Sequence, residues 1–222
     1  MSIADREHDP DLNPWRRATR RVAYENPWLT VYEDQVTRPD GRPGIYGVVH
    51  FRNRAIGVVV IDDADRTLLI GQYRYTLDRY SWEIPEGGAG PGEVPLAAAR
   101  RELLEETGCT ADRWELLLEA ELSNSVTDEL ASVFLATDVR EGTASPEGTE
   151  VLETRWVPFD DALRMIDEGT IRDALSILAL QRVALARASR AASRPVGGEQ
   201  AGERRRHDGA SDGEPRRLSG DG

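Results

Sequence analysis

Hydrophobic and polar positions change period several times along the chain, and each change marks an element. "WLTVYEDQVTR" and "GIYGVVHFRN" alternate on either side of the turn signal "PDGRPG", which predicts a β-hairpin. "AIGVVVIDD" is a nearly continuous β-branched run, as in a buried strand; a turn at "DADR" leads into the strand "TLLIGQYRY". "SWEIPEGG" predicts a short strand ended by proline and glycines. In "PLAAARRELLEETG", Pro95 opens a run of good helix formers at a tolerated first-turn position and Gly108 closes it as C-cap. "RWELLLEAEL", "ELASVFLATDV" and "ETRWVPFD" predict three further strands. "DDALRMIDEGTIRDALSILALQRVALARA" predicts two helices divided at Gly169, the second with an apolar stripe of Leu175, Leu178, Ala179 and Val183 edged by Arg182. Strands and helices mix without strict alternation, which predicts an α/β sandwich on a mixed β-sheet, preceded by a small N-terminal β-region.

The ends differ from this middle. From Ala188 onward Gly, Arg, Ser and acids dominate and large apolar groups are scarce, so ordering entropy has little to offset it. The expected organisation is a flexible N-terminus over 1–20, a β-region over 21–55, a main domain over 56–187 and a disordered tail over 188–222. The tail's "ERRRH" reads as a solvated basic patch.

Composition narrows the function classes. No apolar run approaches the ~20 residues that span a bilayer, and the N-terminus has no apolar signal core, so the expected location is the cytoplasm, with no membrane partner. A lone cysteine, Cys109, excludes an intramolecular disulfide and a multi-cysteine zinc site. The formal net charge of −12 argues against nucleic-acid binding, which rests on basic surface. If the ligand is an anion, cations must come from elsewhere. Every basic side chain other than histidine is arginine.

One helix concentrates charge against its own interest. Glu102, Glu105 and Glu106 lie within little more than one turn of "RELLEETG", and like charges at three- and four-residue spacing destabilise a helix. They also sit at the C-terminal end, where the helix dipole disfavours anions. Leu96, Ala99, Leu103 and Thr107 form a core-facing stripe, leaving the carboxylates to point together. A solvated acidic face eased by Arg100 and Arg101 is one reading. The glycine-rich "GGAGPGE" running into the helix, and a hard oxygen donor set, favour another: a site for Mg²⁺ or Mn²⁺, which offsets both penalties.

These residues also carry a family resemblance. Gly87, then Glu93 after five residues, then Arg101-Glu102-Leu103-X-Glu105-Glu106-X-Gly108 after seven, resembles a complete Nudix box, with Cys109 at the position usually held by an aliphatic residue. The resemblance implies a Nudix-type α-β-α sandwich and a metal-dependent hydrolase of pyrophosphate bonds in nucleoside diphosphate derivatives. It implies Glu102, Glu105 and Glu106 as metal ligands, joined by the backbone carbonyl of Glu86, with Arg101 orienting a box carboxylate and Glu93 in a supporting role. Water attacking a charge-spread pyrophosphate needs such metals independently of the resemblance. Of the histidines, His8 and His207 lie in the polar ends and His50 in a strand, so none is a good general base.

Upstream, "GQYRYTLDRYSWEIPEGG" is similar to the ADP-ribose and nucleoside-diphosphate-sugar pyrophosphatase branch, in which an N-terminal β-region completes a homodimer and its substrate pocket. The resemblance implies Arg74 as a phosphate or ribose contact, suited by its guanidinium fork. It implies Glu83 as a contact to substrate or a second metal, and Trp28 and Tyr32 as base-stacking candidates beside their packing reading. Downstream, "LSNSVTDELASVFLA" keeps "TDE" but has Asn124 and Ser125 where the branch usually has a proline, which leaves other nucleotide sugars open beside ADP-ribose. For the catalytic base, "SPEGTEVLE" offers Glu150 first, with Glu147 and Glu129 behind it. The alternatives are a broad-specificity housecleaning pyrophosphohydrolase, for which more basic surface is expected, and a ligand-sensing regulator, for which lost box glutamates are expected.

Overall fold

The computed structural model describes residues 12–144 and 151–193. Among these residues ten strands form three sheets. β1 (Arg16–Glu25), β2 (Leu29–Thr37) and β3 (Pro43–Phe51) make an antiparallel meander. β4 (Arg54–Val60) pairs antiparallel with β7 (Glu86–Ala89) and parallel with β9 (Glu129–Arg140), which pairs antiparallel with β8 (Thr110–Leu122). β5 (Arg66–Arg74) lies between β10 (Glu153–Pro158) and β6 (Arg79–Glu83). Three helices follow the predicted segments: α1 (Pro95–Thr107), α2 (Phe159–Asp167) and α3 (Ala174–Ala192).

β4 explains the layering. Its side chains alternate between faces. Ile56, Val58 and Val60 are fully buried in a cluster with Ala98, Ala99 and Leu103 of α1; Val59 and Ile61 join Phe159 and Ala162 of α2 and Leu175, Ala179 and Val183 of α3. A strand apolar on both faces therefore stands between two helix layers, the α-β-α arrangement expected. Leu178 departs from the predicted stripe: it is 44 % exposed, because a helix stripe narrow enough for one sheet face leaves a flank in solvent.

Two boundaries also differ. β1 begins at Arg16, inside the segment expected to be a flexible N-terminus, since main-chain pairing with β2 extends a strand whose side chains are all exposed. α3 continues to Ala192, past the expected end at residue 187, because Ala and Arg are good helix formers. The β2–β3 hairpin and the division at Gly169 (φ 71°) stand as predicted. β3 ties the N-terminal sheet to the rest: the Val49 amide donates to Val126 O (2.8 Å) and the Tyr46 hydroxyl to Ser125 O (2.8 Å).

Candidate active site

Box helix α1 starts at Pro95, which lacks the amide that a first turn cannot satisfy, and ends at Gly108, whose φ of 73° lets its amide reach Leu104 O (2.8 Å). A side chain at Gly108 is also excluded by space: an added Cβ would lie 2.4 Å from the carbonyl carbon of Thr143. Cys109 follows in the core at 3 % exposure; its amide donates to Thr107 Oγ1 (3.0 Å), and burial pushes its thiol pKa up.

Arg101 is the hub. Its Nε and Nη2 donate to the two oxygens of Glu93 (3.1 Å each), its Nη1 to Glu102 Oε1 (2.9 Å) and Glu105 Oε2 (3.0 Å), and its Nη2 also to Gly88 O (2.9 Å). The Glu93 hydrogen bonds lead in raising the guanidinium above its ordinary pKa, so it stays charged. Glu93 in turn is held below the usual carboxylate range by Arg101 and by the Gly90 amide (3.1 Å). The i,i+4 pair Arg101–Glu105 and its neighbour Arg101–Glu102 thus offset part of the repulsion evident in the sequence.

Glu102 reaches across to β7, where the Gly88 amide donates to its Oε1 (3.0 Å). Gly87 permits this approach: a Cβ there would lie 2.1 Å from Glu102 Cδ. Glu106 is the most enclosed of the three box carboxylates. It is 3 % exposed, and its Oε2 accepts from the Glu86 amide (3.2 Å), the residue whose carbonyl is the fourth candidate ligand.

Among the described residues no three Asp, Glu, His or Cys side chains are preassembled around one metal position. The donor set still suits a hard divalent cation: Glu102 Oε2 and Glu105 Oε1 carry no protein hydrogen bond there, and Arg101 holds their partner oxygens.

Two residues absent from the sequence reading brace this loop. Ser176, fully buried on α3, accepts from the Ile84 amide (3.0 Å) and donates to Glu86 Oε1 (3.0 Å), while Asp173 caps α3 through the Ser176 amide (2.7 Å). Enclosure of the Glu86 carboxyl, then the Asp173 carboxylate, raises its pKa well above the ordinary value. An Asp at a helix start, three residues before Ser, was the available signal for the cap; the contact of Ser176 with the Glu86 side chain had no local signal.

The remaining candidates fall in different places. Arg74 Nε donates to both oxygens of Glu83 (3.0 Å each), and Glu83 is 2 % exposed; burial lowers the Arg74 pKa, but the Glu83 carboxylate more than offsets this. Tyr32 carries the Arg20 guanidinium 4.4 Å above its ring, and Trp28 is 70 % exposed. Glu129 opens β9, half-buried, and that burial raises its pKa. His50 is exposed beside Asp128 (2.6 Å). Glu147 and Glu150 lie outside the described residues.

The glycine-rich strand β7 and its loop thus run into a helix of clustered glutamates, on a mixed sheet between helix layers. Residues 51–179 match the NUDIX domain and residues 15–49 the nucleoside diphosphate sugar hydrolase N-terminal domain, and the chain belongs to the Nudix family of hydrolases. It is 34 % identical over 167 residues to an ADP-ribose pyrophosphatase of Mycobacterium tuberculosis, covering 73 % of this chain and 80 % of that protein. It is 31 % identical over 169 residues to a CMP-5'-(N-acetyl-N-hydroxy-3-aminopropyl)phosphonate hydrolase of Streptomyces rubellomurinus, covering 75 % and 82 %. A solved ADP compounds hydrolase shares the fold at a TM-score of 0.72 and 21 % identity, over 79 % of this chain and 95 % of that one. No described helix is long and apolar enough to cross a membrane.

Proposed function

We propose that the protein hydrolyses the pyrophosphate bond of ADP-ribose or a related nucleoside diphosphate sugar, releasing a nucleoside monophosphate and a sugar phosphate. The observation that carries this reading is the Arg101 hub, which gathers Glu102, Glu105 and the Gly88 carbonyl at the start of the glycine loop. The N-terminal domain match and the named activity of the mycobacterial relative favour this substrate class. Glu102, Glu105, Glu106 and the Glu86 carbonyl would hold Mg²⁺ or Mn²⁺, which screens the diphosphate and lowers the pKa of the attacking water.

The chain's own groups supply the rest. Arg101 keeps two box carboxylates oriented. Arg74, fixed by Glu83, contacts a phosphate or ribose, and Trp28 and Tyr32 offer faces to the base. Glu150 accepts the proton of the attacking water, with Glu147 and the half-buried Glu129 as the next candidates. The N-terminal sheet serves a homodimer, and the reaction belongs to the cytoplasm.

The test is nucleoside monophosphate release from ADP-ribose, ADP-glucose, GDP-mannose, UDP-glucose, NADH and diadenosine polyphosphates with Mg²⁺ or Mn²⁺. Turnover of ADP-ribose or a sugar nucleotide is expected; no turnover of any would sink the proposal. Glu106→Gln is expected to lower kcat by at least about 10²-fold, the scale of a lost metal ligand contact. Full activity in that variant removes the metal assignment. Glu150→Gln is expected to lose about 10² to 10⁴-fold, and a loss under about tenfold excludes it as base.

A further inference from the structure

The β5–β6 hairpin and the turn between α2 and α3 enclose a cleft of about 220 Å³, lined by Arg79, Tyr80, Ser81, Gly169, Thr170 and Arg172. No carboxylate lines it, in a chain whose acids outnumber its Lys and Arg residues 40 to 28. Its polar groups are largely uncommitted donors. Among the described residues the Arg79 guanidinium and the hydroxyls of Ser81 and Thr170 make no hydrogen bond or ion pair, whereas most of the described arginines are paired with carboxylates. Arg172, which also lines the cleft, donates its Nε to Gly169 O (2.6 Å), and its terminal nitrogens make no hydrogen bond among the described residues. The Tyr80 hydroxyl is turned to Glu153 (3.1 Å).

Strand register adds an independent argument. Arg79 stands directly opposite Arg74, and like charges in that relation destabilise an antiparallel pair. Glu83 neutralises Arg74, which leaves Arg79 uncompensated. The cleft also adjoins the candidate active site: Arg79, Ser81 and Glu83 alternate onto one face of β6, and Arg172 immediately precedes the Asp173 that faces Glu86.

We infer that this cleft is an oxyanion subsite that binds a phosphoryl group. Two guanidinium groups match its oxygens in the bidentate manner that suits phosphate, and the two hydroxyls donate to the remaining oxygens. The group is either a further phosphoryl substituent on the nucleoside diphosphate substrate or free orthophosphate. The subsite stands without the proposed hydrolysis; assigning its phosphoryl group to the substrate rests on that reading.

Calorimetric titration of the metal-free full chain with inorganic phosphate tests the subsite without turnover. One site is expected, with affinity lowered about tenfold or more in Arg79→Ala and in Arg172→Ala. Arg79→Lys, which keeps the charge but not the fork, recovers part of the loss. Equal affinity in wild type and both alanine variants, or no binding in any, overturns the inference. Comparing kcat/KM for ADP-ribose with that for its ribose-phosphorylated form then separates the sources. A wild-type preference for the phosphorylated form that disappears in Arg79→Ala assigns the group to the substrate; equal rates beside intact phosphate binding assign it to free phosphate. If neither compound is turned over, the hydrolase reading fails while the calorimetric result still decides the subsite.

Discussion

Gly87 and Glu102 compete for one small volume, and this is where the box spacing acquires a physical cause. With 2.1 Å between an ideal Cβ at position 87 and Glu102 Cδ, Gly87→Ala must expel the Glu102 side chain from its bonds to the Gly88 amide and Arg101. The expected result is a loss of about 10 to 100-fold in kcat, the scale seen when a ligand's support is disturbed, with a smaller change in thermal stability. Steady-state kinetics beside a thermal melt checks it; unchanged kcat means that Glu102 works from another position. The box residues were legible because their spacing encodes a short-range event, a loop folding back on the next helix. The Ser176–Glu86 contact joins residues 90 apart in sequence and left no local pattern. The burial of Glu106 and its bond to the Glu86 amide left no local pattern for a related reason: they join the helix to a strand residue 20 positions away.

At the scale of elements, most strands were legible because their buried faces impose a period. β1 was not. Its sequence, "RRATRRVAYE", buries no side chain, so selection for a core left no alternation to read. It is held instead by the main-chain ladder and by charged pairs across to β2. Arg20 donates to both oxygens of Asp34 (2.7 and 2.8 Å), and this hydrogen bonding leads in holding the Asp34 carboxyl below its ordinary pKa. A depressed carboxylate stabilises the fold above the unfolded-state pKa, near 3.9 for Asp, and that contribution is lost as pH falls through the folded-state value. Asp34→Asn is therefore expected to lower the urea midpoint at about pH 7, with the difference from wild type closing below about pH 4. A gap independent of pH would show that the charge of Asp34 is not what matters.

At the scale of the whole molecule, the mixed class followed from strands and helices that do not strictly alternate and the α-β-α layering from the family resemblance, but the partition into three sheets did not, because pairing partners lie far apart in sequence. The three-stranded N-terminal sheet is exposed to an unusual degree: Val22, Tyr24, Trp28 and Ile45 are each more than half exposed. Sheets of this size need an apolar face covered to be stable. A homodimer joined through it is expected, with roughly 1,600 Å² of total buried surface. Light scattering of the eluting protein should give twice the chain mass, and Val22→Arg with Ile45→Arg should give the chain mass and weaken turnover; a monomeric wild type at all concentrations rules this out.

Cys109 gives the chain a chemical reporter of its own motion. The thiol lies just past the end of α1, in the core, with its pKa raised, and no second cysteine confuses the signal. A disulfide-exchange reagent reaches this buried thiol through local opening, and because Cys109 directly follows the turn carrying Glu105 and Glu106, the labelling rate is expected to report opening of that turn. Divalent ions that bind those carboxylates should slow the reaction in proportion to their occupancy, which makes a single buried sulfur a readout of ligation that requires no substrate.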